Sequence, residues 1–145
     1  MMWLRQREVG ERGSATIEAV IGVPAFLLFI LLIVAAGRVQ IAHQAIESAA
    51  VEAARSASIA RTQPEANASA VAGAEASLAN QGVQCVSRSV TVDTTGFAAP
   101  PGTPASAAAT VNCTVDLSDL TVPGMPGTIR IAKTMSSPID TYREH

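Results

Sequence analysis

Aromatic residues make up only 3% of this 145-residue chain, and Lys133 is its one lysine. Its two histidines, His43 and His145, and two cysteines, Cys85 and Cys113, fall in no metal-ligand spacing. Neither a metal nor any other cofactor is therefore expected. The formal charge of −2, with 15% charged residues and no basic stripe or aromatic platform, removes the footprint of a nucleic-acid binder. No glycine-rich phosphate loop follows a strand pattern, and no serine has a recognisable activating base. The reading is a protein that is not an enzyme and takes no small-molecule substrate.

What the chain has instead is apolar residues, 48% of the total, much of it alanine. The rest is concentrated in one run. From Ala15 to Gly37 the only ionisable residue is Glu18, in the first turn of a stretch that reads ATIEAVIGVPAFLLFILLIVAAG. At about 1.5 Å rise per residue this run is long enough to cross a hydrocarbon core roughly 30 Å thick. Arg5, Arg7 and Arg12 precede the span, whereas Arg38 is followed by no basic residue before Arg55. Acidic residues weigh little in the positive-inside rule. The expected topology is a single pass through the cell (inner) membrane, with the N-terminus cytoplasmic and the C-terminal part outside.

The predicted class is α+β, in segments along the chain. Residues 1–13 are a charged cytoplasmic leader and 14–37 the transmembrane helix. Residues 38–62 extend that helix, since no proline or glycine interrupts Val39 to Arg61. Ala45, Ala49, Ala53 and Ala57 recur at every fourth position, on one face of the extension. They read either as part of a solvated alanine-rich helix or as a packing seam for other copies or a partner helix. Thr62-Gln63-Pro64-Glu65 has the form of a capping box with proline in the first turn, so a second helix occupies 63–82, with Val71, Ala74 and Leu78 as its apolar face and Gly82 as terminator.

Beyond Gly82 the period changes to two. Val86, Val90 and Val92 alternate with serine and threonine, and Ala107 to Leu117 alternates more cleanly. With a third strand from Thr128 to Lys133, residues 83–136 form a small exported sheet of about three antiparallel strands; residues 137–145 are a loosely held tail. Two sequons, Asn67-Ala68-Ser69 and Asn112-Cys113-Thr114, read as chance matches. If the first two strands form a hairpin centred on Ala99, Cys85 stands directly opposite Cys113, near the separation a disulfide needs. An oxidising compartment favours that bridge; the opposite topology leaves two free buried thiols.

Pro24, inside the span, removes one helix hydrogen bond and predicts a kink. A cut after Gly13 creates a new amine on Ser14, one helical turn from Glu18, so that amine and carboxylate compensate each other. Alternatively Glu18 rests at interfacial depth near the helix N-terminus, where the macrodipole favours an anion.

A charged leader, Arg12-Gly13-Ser14, then Ile17-Glu18, Pro24 and Gly37-Arg38 together resemble the TadE-like family, the pilin-like proteins of tight-adherence (Tad/Flp) pilus systems. The chain departs from the pilins of this system at Ala19, where they usually carry an aromatic residue, and it is longer than the major pilins. The resemblance therefore implies a pseudopilin or minor pilin, processed by a prepilin peptidase. Its implied partners are the bilayer, the inner-membrane platform with its cytoplasmic ATPase, other pilins or pseudopilins, and further copies through the N-terminal helix. Two alternatives stay open: an uncleaved anchor presenting a small binding module, and a secreted protein cut after Ala36.

Overall fold

The computed structural model describes residues 11–120 and 122–142. Most of the leader, and the end of the tail with His145, lie outside the described residues. Helix α1 runs unbroken over Glu11–Ser58, 48 residues that include Pro24, a length of about 72 Å at 1.5 Å per residue. Helix α2 follows at Gln63–Asn80. Three strands complete the chain: β1 at Cys85–Asp93, β2 at Ala105–Asp116 and β3 at Thr128–Ile139. They form one antiparallel sheet in the order β1-β2-β3.

Among the described residues nothing packs around most of the first half of α1. From Ile17 to Val34 large apolar side chains on all sides of the helix stand 41–68% exposed. The second half is the centre of the fold. Ala42, Ala45, Ile46, Ala49, Ala50, Ala53, Ala54 and Ala57 are buried, facing α2 on one flank and β2 and β3 on the other. The fourfold alanine repeat is thus covered by the chain's own second helix and sheet, and is not free for another copy. Alanine removes little area from water, so this seam works by close approach of backbones more than by burial. Gly73 of α2 illustrates how close. A Cβ built there lies 2.7 Å from Ser56 Oγ and 3.4 Å from the Glu52 carbonyl oxygen.

The ends of α2 are chemically specified. The Thr62 hydroxyl accepts from the Glu65 N–H at 3.3 Å, but the Glu65 carboxylate accepts from the N–H of Arg61 rather than that of Thr62. The expected box is therefore displaced by one residue on its return side. At the other end Val83 N–H donates to the Leu78 carbonyl and Gly82 N–H to that of Ala79, with Gly82 at φ +68. That is a Schellman ending, and it requires the conformation glycine adopts most cheaply. The buried face is Ala66, Ala70, Ala74 and Leu78. Val71, expected on that face, is 39% exposed; a strict spacing of four selects the alanines and turns it outward.

The sheet differs from expectation in register and in length. Regular pairing runs from Ser87↔Thr114 to Asp93↔Ala108, centred between Pro100 and Pro101 rather than on Ala99. Arg88, not Cys85, stands opposite Cys113, and Cys85 stands opposite Val115. A short 3-10 helix, Thr95–Ala98, shifts the centre of the connection, and an irregularity between Cys85 and Ser87 absorbs an extra residue. The bulge leaves Val86 66% exposed instead of aligned with Val90 and Val92. It also brings Cys85 across to Cys113: the disulfide forms, with Cα atoms 5.4 Å apart. Strand β3 continues past Lys133, through Ser136 and Pro138 to Ile139. Ser137, Pro138 and Ile139 were expected in the tail. Pro138 is compatible with the ladder because β3 is an edge strand, where a missing N–H need not break a pair.

Two consequences can be measured by denaturant unfolding. Cys113→Ser should lower stability by about 3–4 kcal/mol, the loop-closure value for a bridge spanning 28 positions. Gly96→Ala should cost about 1–3 kcal/mol, because its Cβ would stand 2.4 Å from the Ser106 carbonyl oxygen, which cannot swing aside. Gly73→Ala should stay within about 1 kcal/mol of the parent, since the Ser56 hydroxyl can rotate and alanine favours the helix.

Candidate membrane span and processing site

The described part of the chain contains one helix long and apolar enough to cross a membrane, lying within Ala15–Ser58 with a mean hydropathy of 2.9 in its most apolar window. Only 6% of that window is buried inside the molecule. A soluble protein's core helix of this composition would be covered. An apolar helix that the described residues leave bare is long enough to cross a hydrocarbon core and has the composition that such a core accepts.

The domain is seated directly at the end of this span. Arg38, the first charged residue after it, forms an ion pair with Asp119 in the connection after β2. Further along, Lys133 of β3 reaches Glu47 at 3.6 Å, and the hydroxyls of Ser58 and Ser137 are 3.0 Å apart. Contacts thus progress in the same sense along α1 and β3, and both elements lead away from the span. The β2–β3 connection lies at the near end. At the far end an open cleft of about 830 Å³ is lined by residues including Ile59, Arg61, Pro138 and Tyr142.

The predicted processing residues lie at the start of α1. Gly13 and Ser14 are on helical backbone, and Glu18 is exposed one turn beyond Ser14. Among the described residues no element packs around Glu18, whose side chain is exposed. Among insertion costs, charged residues such as Asp or Arg reach about 2.5–3.5 kcal/mol at a helix centre and less toward an end. Pro24 is accommodated without interrupting the helix.

Residues 13–55 match the family model described as TadE-like protein. The chain carries a TadE-like segment. This segment starts at Gly13 itself and runs through the span into the buried half of α1, stopping just short of Ser58. Helix α2 and the sheet lie beyond it. No curated protein and no solved structure matches the chain. Among the described residues no group of three or more His, Cys, Asp or Glu side chains is placed to hold a metal ion.

Of the other residues singled out, Cys85 and Cys113 are joined, and Ala45, Ala49, Ala53 and Ala57 are core. Sequence reading missed the Arg38–Asp119 pair, whose partners are 81 positions apart, and the Lys133–Glu47 pair. No local signal announces either one. The pairs are exposed and so each contributes little, on the order of 0–1 kcal/mol.

Asp93 offers a titration test. The N–H and hydroxyl of Thr95 both donate to its carboxylate, at 3.0 and 2.7 Å, holding its pKa below the usual carboxylate range. A depressed folded-state value means stability that is present above the unfolded pKa and lost as pH falls through the folded one. Asp93→Asn should therefore reduce the acid-side slope of a melting-temperature profile and leave it unchanged near neutrality. Full-length chain should also stay in the membrane pellet after alkaline carbonate extraction.

Proposed function

We propose that this protein is a pilin-like subunit, a pseudopilin or minor pilin, acting in assembly of a Tad/Flp-type adhesion pilus or a related secretion apparatus. The observation that carries the proposal is the coincidence of the TadE-like segment with Gly13, Glu18 and the bare span. In this reading a prepilin peptidase cuts after Gly13, and the new Ser14 amine offsets the Glu18 carboxylate one turn away. The subunit then works at the inner membrane with the pilus platform, its ATPase and other pilins. Its role is structural rather than catalytic, and the disulfide-linked domain lies on the extracytoplasmic side.

The anchor reading shares the span and differs only in the missing cut. The secreted reading has less support. A cut after Ala36 falls in the middle of α1, where the helix is continuous and Ala35 is buried; a protease would have to unwind that segment to reach the bond.

Sequencing the N-terminus of the membrane-associated protein separates the three. Ser14 is expected; Gly37 would identify a secreted protein, and an intact or Met-trimmed start an anchor. If Pro24 helps the subunit leave the bilayer by loosening the helix, Pro24→Ala should reduce surface assembly with no change in N-terminal processing. Wild-type assembly by that variant would remove Pro24 from the mechanism.

A further inference from the structure

The sheet has two open edges, and the membrane restricts how they can be used. Among the described residues β1 and β3 each pair on one side with β2 and carry no strand on the other. Both are antiparallel to β2, so they are parallel to each other. Since β3 leads away from the span in the same sense as α1, so does β1. The two edges also lie level. Ser87, Thr114 and Arg130 share one cross-strand row, Thr91, Thr110 and Thr134 another, and Asp93, Ala108 and Ser136 a third. Seven regularly paired residues of β1 thus stand at the height of seven in β3.

Unpaired edges are templates for a further strand, and proteins ordinarily block them with bulges, prolines or lysines. Here those devices lie outside the matched window or are engaged. The bulge is at Cys85–Ser87, at one end of β1, and Pro138 lies beyond Ser136. Lys133 is tied to Glu47, and Arg88 to Glu75 of α2 at 2.8 Å. The outward residues of the window are mostly serine, threonine and alanine, short enough to admit a neighbouring backbone.

We propose that copies of this chain in one membrane join edge to edge, β3 of one copy pairing in parallel with β1 of the next, in a head-to-tail row. The occupant follows from topology. Every copy inserts in the same sense, and the unbroken α1 carries that orientation into the domain. An antiparallel β3–β3 or β1–β1 ladder needs one domain inverted and is incompatible with a shared membrane. A parallel ladder between identical edges about a two-fold axis along the membrane normal sets equivalent residues at equal height, whereas parallel pairing staggers them. Pairing β3 with the next β1 meets neither obstacle. In the helix layer it brings the exposed flank of one copy's α2 toward the outer flank of α1, where Gln44, Glu47, Ser48 and Val51 line a shallow trough of about 350 Å³. The inference rests on the membrane reading of the span and not on cleavage at Gly13 or on a pilus.

The test uses full-length protein in its membrane, with two differently tagged copies co-expressed. One carries Thr134→Cys on β3 and the other Thr91→Cys on β1, both exposed positions in one row. A short bis-maleimide links free thiols and leaves the Cys85–Cys113 bond alone. The expected product is the mixed adduct, with loss of adduct when either variant is expressed alone. A second pair, Ala132→Cys with Ser89→Cys two rows away on the same face, should behave in the same way. Same-variant adducts matching the mixed one, or no adduct from either pair in protein recovered from the membrane pellet, would overturn the proposal. Protein absent from the pellet would overturn the span reading, and this inference with it.

Discussion

One unbroken helix carries both the candidate membrane span and the centre of the domain. The N-terminal half of α1 presents large apolar side chains in every direction, as suits a hydrocarbon surrounding, while its C-terminal half buries a face of alanines under α2 and the sheet. Because no break separates the halves, the orientation of the domain is coupled to that of the span. The rest of the structure follows from this coupling. The sheet stands along the helix and not across it, and its β2–β3 connection is held near Arg38. The distal cleft is carried to the end farthest from the span.

Such a domain has little conventional core. Its largest fully buried side chains are Ile46, Leu78, Val111 and Cys113, with alanine supplying most of the remainder. Small residues allow α1 and α2 to approach until Gly73 nearly meets Ser56, so that packing contacts replace part of the missing area. The disulfide then acts on the unfolded state, removing chain entropy that a small core cannot readily offset. An alanine core and a covalent staple are two answers to the same shortage of buried surface.

Much of this was legible in the residues. The span was evident from its run of apolar side chains, α2 from Thr62, Pro64 and Gly82, and β1 and β2 from their alternation. The cysteine bridge was anticipated too, although through a register that the bulge at Cys85–Ser87 overrides. Gly13 and Glu18 marked the start of the segment that matches the TadE-like model. The full length of β3 was less legible, because Ser137 and Pro138 resemble a tail until β2 is there to pair with them. Val71 misled for a related reason: hydrophobicity ranked it above the alanines, while the geometry of close helix packing ranked it below.

What the sequence determined by itself was local: where helices begin and end, which segments alternate, and which stretch is apolar enough to cross a membrane. These depend on neighbours within a few positions, through backbone sterics, capping hydrogen bonds and transfer free energy. Only the tertiary structure decided what covers Ala45, Ala49, Ala53 and Ala57, which residues face one another across the sheet, and that Arg38 meets Asp119. Those outcomes join residues tens of positions apart. Composition and period say that an alanine face will be covered, but leave the identity of the cover to the path of the whole chain.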